Sequence, residues 1–202
     1  YLPEFTQFLM YFEHSIVTVD LDGSYTYERE TAREHVDELM KGTGIDYGIF
    51  MPKDFTASTL PNLPTDIDFL CAPRSISDMS SKIGLGFIGC RVRAIAKNAG
   101  FPLLIPTPVN KNWTQIAAFF GGSPIGVHAV RLAISLGKQC GFPVQVYTQC
   151  DDTPRVEYER VLKEAGVLDV MHERGVDWVV FESGELQSNL YRVPYDALVV
   201  LG

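Results

Sequence analysis

Residues 27–50, YERETAREHVDELMKGTGIDYGIF, lie on residues 158–181, YERVLKEAGVLDVMHERGVDWVVF, without a gap when the chain is slid along itself by 131 positions. Eight pairs are identical: Tyr27/Tyr158, Glu28/Glu159, Arg29/Arg160, Val36/Val167, Met40/Met171, Gly44/Gly175, Asp46/Asp177 and Phe50/Phe181. Ordinary composition, at about 6% identity per position, would give one or two. Ile45/Val176, Tyr47/Trp178 and Ile49/Val180 are like for like. The match resumes where Pro64-Thr65-Asp66 meets Pro194-Tyr195-Asp196, each ahead of an apolar run. Self-similarity at a long fixed period marks duplicated structural units.

The elements follow from the two copies together. Strands are predicted at 16–19 and 144–148, helices at 28–40 and 156–171, strands at 46–50 and 177–181, then strands at 67–71 and 197–201. The first copy continues into a helix at 87–99 and a strand at 102–106, with residues 4–12 closing an earlier helix. The second opens with a strand at 115–120 and a helix at 125–140. Alternating strands and helices imply parallel βαβ units. Leu103-Leu104-Ile105 and Ala197-Leu198-Val199-Val200 are apolar on both faces, as in a parallel sheet covered on both sides. The fold class expected is α/β: two tandem Rossmann-like or flavodoxin-like domains with parallel five-stranded sheets. They span residues 1–109 and 110–202 and are joined by the polar segment Thr107 to Asn112. Read against each other, both copies are incomplete. The first lacks its opening strand and the second its last helix and strand, as expected of the middle of a longer tandem protein.

Composition narrows the function. Asp and Glu number 25 against 17 Lys and Arg, a net charge of −8, with no basic cluster. That excludes a nucleic-acid or anionic-membrane partner, which needs clustered cations. Apolar runs such as 116–120 and 197–201 are too short to span a bilayer. Cys71, Cys90, Cys140 and Cys150 form no C-x-x-C pair and have no histidine at zinc-ligand spacing, so reduced thiols and a cytoplasmic location are expected. His14, His35, His128 and His172 are scattered. His128 lies one turn into a helix that follows Gly122-Ser123, and a surface or packing role is expected of it.

Order and repeat together carry a resemblance to a known family. Lys111 to Ser123 followed by Ala129-Val130-Arg131-Leu132-Ala133 resembles the first strand, Gly-Ser turn and first helix of a universal stress protein. Pro143 to Thr148 resembles its second strand and Asp196 to Gly202 its fourth. Ile88 to Ile95 with Phe101 to Pro106 resembles its last helix and strand. Nucleotide-binding members end the first strand in Asp and hold phosphates in a loop G-x-x-G, nine residues, G-[ST]. Glycines let backbone N–H groups approach the oxygens, and the following helix presents its positive end.

This sequence departs from that pattern. Gly121 stands at the Asp position of the second copy. The first copy reads Ala72-Pro73-Arg74-Ser75 at the loop, where proline removes a donor, and Gly89-Cys90 in place of Gly-Ser. The resemblance therefore implies weak ATP binding in the second copy alone, through Gly121, Gly122, Ser123, Thr148 and Gly202, and none in the first. Pairing of the two copies as a pseudo-dimer is implied, with homodimerisation a further option. No metal and no catalytic residues are implied, and a conventional enzyme is not expected.

Two motifs compete. Val17-Thr18-Val19-Asp20-Leu21-Asp22-Gly23-Ser24 resembles the first motif of haloacid-dehalogenase-type phosphatases, with Asp20 as nucleophile and Asp22 as general acid beside Mg²⁺. Thr107, Lys111 and Asp151-Asp152 would have to supply the rest. The repeat, however, sets Asp20 opposite a strand end near Thr148 and Gln149, which carry no carboxylate. A polar turn capping the next helix explains the residues as well. Gly84-Leu85-Gly86-Phe87-Ile88-Gly89 fits G-x-G-x-x-G but follows a loop rather than a strand, with no acid about 20 residues on. Three classes stay open: a stress-response regulator sensing ATP, a phosphatase, and a ligand-free interaction module.

Overall fold

In a computed structural model, residues 16–20, 29–50, 68–72, 88–106, 112–150, 153–181 and 185–202 are described. The chain divides into two compact units, Tyr1–Asn110 and Lys111–Gly202. Some expectations lie outside the described residues. These are the helix at 4–12, the starts of the elements predicted at 67 and 87, most of the segment from Thr107 to Asn112, and the glycines at 84 and 86. Asp22, Arg74 and Asp151-Asp152 are also outside them.

In the first unit, strand β1 (Ile16–Asp20) pairs in parallel with β2 (Asp46–Phe50), from Ile16 opposite Asp46 to Asp20 opposite Phe50. Helix α1 (Arg29–Met40) connects them and buries Val36 and Met40. The Tyr47 hydroxyl donates to Asp37 Oδ1 at 2.7 Å and ties β2 back to that helix. Strand β3 (Leu70–Cys71) pairs in parallel with β4 (Leu103–Leu104). Between them, α2 (Cys90–Asn98) buries Val92 and Ile95.

The second unit holds one parallel sheet of four strands. These are β5 (Gln115–Phe119), β6 (Val144–Gln149), β7 (Asp177–Phe181) and β8 (Ala197–Val200), in the order β7-β6-β5-β8. Helix α3 (Pro124–Cys140) packs on β5, β6 and β8. Its apolar stripe, Val127, Val130, Ala133, Ile134 and Leu136, recurs at helical spacing and faces the sheet. Helices α4 (Arg155–Glu164) and α5 (Val167–Glu173) follow β6, and α6 (Leu186–Leu190) follows β7. An aromatic ladder crosses the sheet: Phe119 stacks on Tyr147 at 5.6 Å and Tyr147 on Phe181 at 5.9 Å. Where β8 begins, Asp196 accepts from the Thr114 hydroxyl and from Gln115 Nε2, locking the opening of β8 to that of β5.

Five strands are not reached in either unit among the described residues: the first is described as two strand pairs and the second as a sheet of four. The helix predicted at 156–171 is two helices, because Gly166 takes a left-handed conformation (φ 67°) and starts a new one. The segment between β7 and β8 contains α6.

Both self-similar stretches end in a helix, a glycine turn and a parallel strand, but the first carries one helix where the second carries two. Gly44 and Gly175 have φ of 69° and 63°, a region that side chains disfavour by about 1–2 kcal/mol. Val36 and Val167 are buried, as are Met40 and Met171. Phe50 pairs with Asp20, and Phe181 with Gln149. The position of Asp20 is thus taken by an amide in the second unit.

Candidate functional site at the carboxyl edge of the second sheet

Strands β5, β6 and β7 are laid down in one direction, and β8 returns to the other side of β5. The strand order therefore reverses between β5 and β8, which makes the carboxyl ends of these two strands the switch point of the sheet. The residues at that edge are Gly121, Gly122 and Ser123 after β5, and Leu201 and Gly202 after β8.

Local chemistry builds the turn. Gly122 has φ of 81°, which swings the chain from the strand into α3. Ser123 is the N-cap: its Oγ accepts from the Gly126 N–H at 3.0 Å, and Pro124 occupies the first helical turn, where it costs no hydrogen bond. The 17-residue helix aims its positive end at this turn. Gly202 packs so closely on the opening of α3 that a Cβ there would collide with the Ile125 carbonyl. The structure thus brings Gly121, Gly122, Ser123 and Gly202 together. None of the four carries a charged side chain, and in the first turn of α3 Pro124 has no N–H while those of Gly126 and Val127 donate to the Ser123 Oγ and carbonyl.

Thr148 sits differently. It is 1% exposed on β6, and its Oγ1 accepts from Trp178 Nε1 at 2.9 Å. The residue at the top of β6 is instead Gln149. Its carbonyl accepts from the Tyr158 hydroxyl at 3.2 Å, and its Oε1 accepts from Asn189 of α6 at 2.8 Å. The Tyr158 ring lies against Gly122: a Cβ on that glycine would stand 3.2 Å from Tyr158 Cε1. Sequence reasoning missed Tyr158 as a site residue, although the repeat marked it as identical to Tyr27. Nothing local connects residue 158 with residue 122.

His128 is exposed on α3. Burial pushes the Cys140 thiol above its ordinary value, which makes it a poor nucleophile. Among the described residues no group of three or more His, Cys, Asp or Glu could hold a metal ion, and no helix is long and apolar enough to cross a membrane.

No protein-family model matches the chain, and no curated protein matches it. Solved structures do. A universal stress protein from Archaeoglobus fulgidus DSM 4304 superposes with a TM-score of 0.62 at 16% identity, covering 95% of this chain and 76% of that one. The chain has the universal-stress-protein fold. A protein given the same family name, from Pseudomonas aeruginosa UCBPP-PA14, superposes with a TM-score of 0.51 at 9% identity, covering 85% of this chain and 75% of that one. At such identities the likeness is one of backbone. In this fold the β5–α3 turn stands at the switch point of the second sheet.

Proposed function

We propose that this protein is a stress-response or regulatory binding protein of the universal-stress-protein type. In this proposal it consists of two diverged copies of one α/β domain, is cytoplasmic, and binds an adenine nucleotide weakly in its second unit only. The observation that carries the nucleotide site is the convergence of Gly122, Ser123 and Gly202 on the amino end of α3 at the switch point. Backbone N–H groups and a helix end are what phosphate oxygens need. Matching strand registers, buried pairs and glycine turns support two copies of one domain. Weakness follows from the missing carboxylate: Gly121 gives the sugar or base no charged acceptor, a contribution on the order of 1.5–3 kcal/mol.

Calorimetry of ATP binding tests this. Gly122→Val places a branched side chain at φ 81° and against the Tyr158 ring, and is expected to weaken binding at least about tenfold. Ser123→Ala, which unties the helix cap, is expected to weaken it by about three- to tenfold. Arg74→Ala in the first unit is expected to leave it unchanged. Affinity that survives both second-unit changes, or that vanishes with Arg74→Ala, would move the site to the other unit. No heat in any form would leave a ligand-free interaction module.

A further inference from the structure

We draw no further inference here: the strongest candidate, the edge of β8 that faces away from β5 in the second unit, where Val199 and Leu201 are exposed, carries nothing, because nothing among the described residues shows what covers it.

Discussion

Phe120→Ala is expected to destabilise the second unit by about 3–5 kcal/mol, the range for emptying a buried aromatic site. Phe120 is 1% exposed, at the last turn out of β5. Its ring lies beneath the opening of α3, where a Cβ at Gly126 would stand 3.2 Å from Phe120 Cδ2, and against the ring of Tyr158 at 6.0 Å. The cavity would open between sheet and helix, where the backbone is pinned on both sides and cannot collapse to fill it. Both tryptophans of the chain, Trp113 and Trp178, belong to the second unit. Urea unfolding followed by tryptophan emission therefore reads that unit selectively, which matters because a two-unit chain need not unfold in a single step. A loss below about 1 kcal/mol would mean that the turn is not packed as described.

Gly137→Val is expected to cost the second unit about 3 kcal/mol, the upper end of the range for overpacking. Opposing effects meet at this residue. Replacing a glycine inside a helix gains a few tenths to about 1 kcal/mol of helix propensity, less for a branched residue than for alanine. Against that, a Cβ at Gly137 would run into Val144 Cγ2 and stand 3.0 Å from the Phe142 carbonyl. The carbonyl is backbone and accepts no displacement: the Phe142 N–H already donates to the Gly137 carbonyl at 3.0 Å, closing the end of α3. Steric exclusion therefore wins over propensity. Lys138→Ala, one residue on and exposed, is the control and is expected to change stability by less than about 0.5 kcal/mol. Equal midpoints for the two variants in the same urea titration would contradict the close approach of α3 to β6.

Local signals made most of the fold legible. The cap at Ser123 and the first-turn proline lie within four residues of each other, so their chemistry is written in order along the chain. The self-similar stretches carried the turn glycines, Gly44 and Gly175, and the buried Val and Met pairs, because those positions are fixed by the period of helix and strand. What was not legible is what depends on partners far away in sequence. Thr148 reads as a strand end facing a ligand, yet the indole of Trp178, thirty residues on, takes its hydroxyl. Tyr158 reads as the start of a helix, yet it closes over a glycine 36 positions earlier. The break at Gly166 was signalled only by a glycine within a helical pattern, which many helices tolerate. Asp20 and Asp22 resemble a phosphatase motif by spacing. Nothing among the described residues favours that chemistry: the strand register sets Gln149 where Asp20 would repeat, and Asp22 lies outside them.

The most direct test of the nucleotide site is hydrogen–deuterium exchange of the full chain with and without saturating ATP. Exchange reports backbone N–H groups, the very donors assigned to the phosphates. Slowed exchange is expected in peptides covering residues 121–127 and 198–202, with residues 68–72 and 88–95 of the first unit unchanged. Protection confined to the first unit, or none anywhere at saturation, would contradict the placement of a nucleotide at the switch point of the second.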